Sequence, residues 1–162
     1  MKASILALSI VFCAPWSASY SGQDARDEIS ACLARLDLAQ GSARDDALAK
    51  LRAAGGAAAH AALDVDAASF AARELASRRV RSALLHEIGE AVSIRAALER
   101  IGDTDDLVRA NLVAFLGAPV LGNVAAQERA DALAAVALAP DARIARTEAL
   151  EALRKLDDDA AC

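Results

Sequence analysis

The residues with the widest chemical range in this chain are its two histidines, His60 and His86, and its three cysteines, Cys13, Cys32 and Cys162. A metal site draws three or four convergent ligands from His, Cys and carboxylates, and neither HExxH nor CxxC spacing occurs. A nucleophilic Cys–His pair would have to join Cys32 to His60 or His86. Cys32, however, falls on an apolar helical stripe with Ala25, Ile29, Leu33 and Leu36, where burial disfavours a thiolate. The paired acids Asp45-Asp46 and Asp105-Asp106 stand at expected helix starts, where carboxylates answer the helix dipole. Asp157-Asp158-Asp159 form an acidic tail, and the glycines stand where helices end rather than in a phosphate-cradling array. No catalytic residue, metal or cofactor is expected.

What remains is arginine. Arg78, Arg79 and Arg81 lie within one helical turn, and Arg44, Arg52, Arg109, Arg143 and Arg146 echo them along the chain. The expected partner-binding set is Arg78, Arg79, Arg81, His86, Arg109, Asn111 and Arg146, which on one surface would accept an acidic or extended protein segment. The competing reading pairs the same arginines within the fold or leaves them solvated, since surface ion pairs are common and contribute little.

These side chains depend on helices for their placement. Of 162 residues 56 % are hydrophobic but only 3 % aromatic, with alanine the commonest. Alanine loses no side-chain entropy on entering a helix, and strand-favouring residues are scarce, so the composition reads as all-α. Asp24 opens a first helix whose apolar positions 25, 29, 32, 33 and 36 follow a 3.6-residue period; Gly41 ends it. Ser42-x-x-Asp45 reads as a capping box for a second helix that stops at Gly55-Gly56. From Ala57 to Ser77 a helical composition is interrupted at Asp64-Val65-Asp66. Ser77 then caps Arg78–Ile88, and Glu90–Ile101 follows. Asp103–Gly117 carries a turn and an amphipathic helix, Asn123 caps a helix to about Ala139, and Pro140-Asp141 opens the last.

Alternate helices share a pattern. Ala43-Arg44 precedes Ala47, Leu48 and Leu51; Val80-Arg81 precedes Leu84, Leu85 and Ile88. Val108-Arg109 precedes Leu112, Val113 and Leu116; Ala145-Arg146 precedes Ala149, Leu150 and Leu153. A helix pair recurring every few tens of residues is the mark of an α-solenoid, because one pair cannot cover its own apolar face. With its acid, turn, Val-Arg and apolar helix, Asp103–Gly117 resembles the HEAT repeat, including the variety found in phycobilin lyases, and the resemblance extends from Asp24 to about Leu156. It implies a short right-handed α–α superhelix of about four helix pairs whose second helices line a concave surface. In that family an Asp six residues before the Arg builds a polar ladder between repeats. Asp103 and Arg109 match that spacing, whereas Leu38, Leu75 and Pro140 stand at the corresponding places.

The termini carry further expectations. Met1-Lys2, the apolar run Ala3–Ala14, Pro15-Trp16 and small residues to Ser19 form a secretory signal over residues 1–19. The run is too short for a permanent membrane span, which needs about 20 residues. A lipid anchor at Cys13 would require a small residue where Phe12 stands. Residues 24–157 form the repeat domain and 158–162 the acidic tail. Export to the periplasm or exterior permits a Cys32–Cys162 disulfide, worth about 4–5 kcal/mol in the loop-entropy picture. Against it, the ends of a helix stack lie apart, and the tail reaches back only about 17 Å. A net charge of -5 argues against nucleic acid, which needs a basic surface. The expected function is therefore an exported, non-enzymatic protein-interaction module. The alternatives are an enzyme or lyase-type accessory factor, or a structural subunit of an envelope complex.

Overall fold

A computed structural model describes residues 22–38, 41–63 and 67–160. The signal-peptide expectation over residues 1–19, Cys13, the break at Asp64–Asp66 and Cys162 lie outside the described residues. Among the described residues the chain is all-helical, with no strand. Its α-helices are α1 (Gly22–Leu38), α2 (Ser42–Ala54), α3 (Gly56–Ala62), α4 (Ala67–Ala71), α5 (Leu75–Ile88), α6 (Ile94–Arg100), α7 (Asp106–Leu116), α8 (Ala126–Leu138) and α9 (Ile144–Ala160). Single 3-10 turns at Ala91–Ser93 and Pro119–Leu121 lead into α6 and the α8 loop. No helix of the described residues is long and apolar enough to cross a membrane.

Sequence neighbours pack as pairs: α1 on α2, α6 on α7, α8 on α9. Longer-range packing joins α3 to α5, α5 to α7 and α7 to α9, so α7 lies between α5 and α9. These are the helices that carry Arg81, Arg109 and Arg146.

The reason is the position of their apolar residues. Leu112, Val113 and Leu116 are wholly buried, each contributing about 1.5–3 kcal/mol relative to exposure. Leu84 and Leu85 on α5 and Ala149 on α9 are buried at the corresponding turns. Leu150 breaks the pattern and is 56 % exposed; α9 packs on α7 and α8, which between them leave this flank uncovered. One core gathers Phe70, Leu85, Ile94, Val108, Phe115 and Leu133 with their neighbours. A second gathers Ile29, Cys32, Leu33, Leu36, Leu51 and Leu84. With small side chains filling much of both, helices approach closely: a Cβ on Gly117 would meet the Ala152 side chain of α9.

Several helix starts differ from those read in the sequence. Ser42 is the first residue of α2 and Gly41, at φ 62°, is its cap, with no side-chain cap bond; the capping box is not formed. α5 begins earlier, at Leu75 after Glu74, and the Ser77 hydroxyl donates instead to Asp37 at 2.8 Å. Asn123 is not the cap of α8, because the Pro119–Leu121 turn and Gly122 (φ 49°) carry the chain on to Ala125. The last helix starts at Ile144, not at Pro140-Asp141. Asp105 does cap α7, accepting from the Val108 amide at 3.1 Å.

Candidate functional site

Helix α5 aims its three arginines at the starts or ends of neighbouring helices. Arg79 binds Asp105 in two-point fashion, Nε to Oδ1 at 3.0 Å and Nη2 to Oδ2 at 2.6 Å. Arg78 Nη1 donates to both oxygens of Asp103, at 2.6 Å to Oδ1. Asp103 in turn accepts from the Asp105 amide at 2.9 Å, so the loop before α7 is shaped around these guanidiniums. Arg81 points the other way, toward the end of α1: Nη2 donates to Asp37 Oδ2 at 2.8 Å and Nε to Ser77 Oγ at 3.2 Å.

The next interhelix step repeats the theme. Arg109, buried on α7, donates from Nη1 to Asp141 Oδ2 at 2.9 Å and lies 3.6 Å from Asp106. Asp106 itself closes onto the start of α9, accepting from the amides of Arg143 at 2.9 Å, Ile144 at 2.6 Å and Ala145 at 3.3 Å. A carboxylate on one helix thereby caps another, satisfying amides that have no intrahelical partner. Arg146 turns back on its own loop and donates to the Ala139 carbonyl at 2.5 Å.

These contacts set the local electrostatics. The Arg79 hydrogen bonds hold the Asp105 carboxyl below its ordinary range, and the same bonds raise Arg79. Burial alone would raise Asp106, but the amides of Ile144, Ala145 and Arg143 and the charge of Arg109 outweigh it and hold it low.

The expected partner-binding residues therefore divide. Arg78, Arg79, Arg81 and Arg109 join helices through Asp103, Asp105, Asp37 and Asp141. Only His86 and Asn111 of the set line a shared recess, of about 450 Å3, along α7 between α5 and α9. Asn111 is held there by its Nδ2 donating to Ser82 Oγ at 2.9 Å. Ala110, Ala114, Gly117 and Ala152 contribute small residues to the lining; Leu107, 40 % exposed, and Ile144, 53 % exposed, contribute apolar surface. Glu148, Glu151 and Lys155 of α9 add charge, and Lys155 bonds Glu151 at 2.9 Å. That bond keeps the Glu151 carboxyl below its usual range.

Sequence reasoning passed over two structural arginines. Arg129, fully buried on α8, donates to the carbonyls of Leu116, at 2.9 Å, and Gly122, and burial pulls its guanidinium below the ordinary value. Arg100 donates from Nε to the Leu63 carbonyl at 2.7 Å and from Nη1 to that of Ala96 at 2.6 Å. Arg129 and the Arg100 Nε reach carbonyls at helix ends, Leu116 closing α7 and Leu63 following α3; an Arg inside an otherwise apolar helical period is the signal that would have found them.

Cys32 is a buried thiol on α1, and its pairing with Cys162 lies outside the described residues. His60 is exposed and lines a different recess from His86, and Cys32 lines neither. Among the described residues no group of three or more His, Cys, Asp or Glu converges as a metal site would need. Comparison with protein-family models, curated proteins and solved structures finds no match.

Proposed function

We propose that this protein is an exported, non-enzymatic interaction module, a short HEAT-like stack that binds another protein along the surface shared by α5, α7 and α9. The observation that carries the reading is the recess along α7. Small residues there leave room for close approach, while Leu107 and Ile144 expose apolar area to solvent, and a few such anchors supply most of the energy of an interface.

The occupant that fits is an amphipathic helix lying alongside α7, the mode in which an apolar face fills a groove between helices. Glu151 is already paired with Lys155, so Glu148 on the α9 side is the acid that favours a basic residue on the bound helix's flank. The arginines then serve the scaffold by fixing the spacing of α5, α7 and α9, and the partner reads the surface between them.

Affinity capture from the exported fraction, using the wild-type chain and an Ile144→Glu/Leu107→Glu variant of matched stability, tests this. A partner held by the wild type and lost by the variant supports the module. Recovery of the same proteins by both, or turnover of a substrate with no partner recovered, overturns it.

A further inference from the structure

Helix α9 packs on α7 and on α8, and its remaining flank faces solvent. Residues three and four apart share one face of a helix. Ile144, Glu148, Glu151 and Lys155 thus line the recess along α7, and Arg146, Leu150, Leu153 and Asp157 form a stripe on the far side. These four stand four, three and four residues apart, the spacing of the seam between two paired helices. Leu150 is 56 % exposed and Leu153 half-buried. The end of a helix stack stays soluble through a polar outer face; this one is apolar in the middle and charged at both ends.

Those end charges are opposite, and neither is neutralised. Arg146 donates from Nη2 to a carbonyl, that of Ala139, and among the described residues it has no carboxylate partner. Asp157 is exposed and bonds no described residue. Reversed in direction, the stripe matches itself: beside an antiparallel copy, Leu150 meets Leu153 of the second copy while Arg146 meets its Asp157. Shape agrees with charge. A recess of about 470 Å3 lies where the start of α8 meets the end of α9, lined by Ala126, Ala130, Leu153 and Leu156 among others. At the opposite end of the pair stands Leu138, 83 % exposed beside the carbonyl that holds Arg146. The two-fold operation that joins Arg146 to Asp157 carries Leu138 toward the recess of the second copy.

We propose that the chain pairs with a second copy of itself through the outer face of α8 and α9. The contact is isologous, with Leu150 and Leu153 at its centre and an Arg146–Asp157 pair at each edge. An interface of a few helical turns belongs to the weak, transient class. It lies on the opposite side of α9 from the recess along α7, so two copies can pair with that recess open, and neither proposal depends on the other.

Sedimentation velocity of the full chain from about 1 μM to 1 mM, in reductant so that no disulfide joins the copies, tests it. A reversible monomer–dimer equilibrium is expected. Leu150→Glu, at an exposed position, should weaken it at least about 100-fold and leave the melting temperature of the monomer unchanged. Asp157→Arg puts cations at both edges and Arg146→Glu puts acids at both. Each variant alone should dimerise about tenfold more weakly, and an equimolar mixture of the two should associate more tightly than either. Ile144→Glu/Leu107→Glu, on the other side of α9, should dimerise as the wild type does. A monomer throughout the range, a dimer undiminished by Leu150→Glu, a mixture no tighter than its components, or loss of the dimer in the Ile144/Leu107 variant would each overturn the proposal.

Discussion

Arg109 and Asp141 meet at the junction of α7 and α9, Nη1 to Oδ2 at 2.9 Å, with the guanidinium side chain 8 % exposed and the carboxylate 67 % exposed. The pair is lopsided, and the lopsidedness decides how it contributes. Losing Asp141 strands a buried cation; losing Arg109 leaves an acid that water can solvate. Asp141→Ala should therefore cost about 1–2 kcal/mol, softened by Asp106 at 3.6 Å. Adding Arg109→Met to it should recover part of that loss, because replacing a buried ion with apolar volume is often neutral or better. Urea melts of the four members of the cycle measure the coupling; strictly additive losses would refute the pairing.

Asp106 supplies the start of α9 from outside that helix. Asp106→Ala should destabilise the protein by about 1–2 kcal/mol, at the upper end of cap substitutions, and should speed hydrogen exchange first at the amides of Ile144 and Ala145. Unchanged exchange at those amides would show that the cap contributes nothing.

Both Asp105 and Asp106 have folded-state pKa values depressed below the ordinary carboxylate value, which is about 3.9 in the unfolded chain. Their contribution is therefore complete above that unfolded value and is lost as pH falls through it to the lower folded values. Stability should drop on acidification from about pH 5 downward. The Asp105→Asn/Asp106→Asn variant should start lower at neutral pH and fall less steeply through that window. A parallel curve, offset but equally steep, would contradict this.

The approach of α7 to α9 has its tightest test at Gly117, where an added Cβ would overlap Ala152. Gly117→Ala should destabilise by about 1–3 kcal/mol, the usual cost of overpacking, and Ala152→Gly should restore part of it in the double variant. Additive losses would mean that the helices yield without strain.

The helices are legible in the sequence, but their ends are not. The apolar periods of α1, α5 and α7 predicted their buried faces because burial dominates such packing. Helix starts depart from the local signals where tertiary partners take over: Ser77 is spent on Asp37, and α9 takes its cap from Asp106 on another helix. The interhelix acids were also hidden by a single residue of offset. Leu38 and Pro140 occupy the positions at which the repeat pattern calls for an acid, while Asp37 and Asp141, their immediate neighbours, make the bonds. An arginine side chain is long enough to absorb such a slip, so strict spacing undercounts the pairs. Of the expected partner-binding residues, His86 and Asn111 line the recess along α7. The acids of α9 that line it could be assigned there only once α9 was seen to lie against α7.

Leu84 and Leu85 are consecutive, yet the first belongs to the core shared by α1 and α2 and the second to the core built on α7. Helix α5 is thus a party wall, and α3 shares the duty through Ala58 on one side and Ala59 on the other. Heat or force that peels away the first two helices removes one tenant and leaves the other housed. The chain should give way in two instalments, with α1 and α2 surrendering their amide protons before the block from α6 to α9 does.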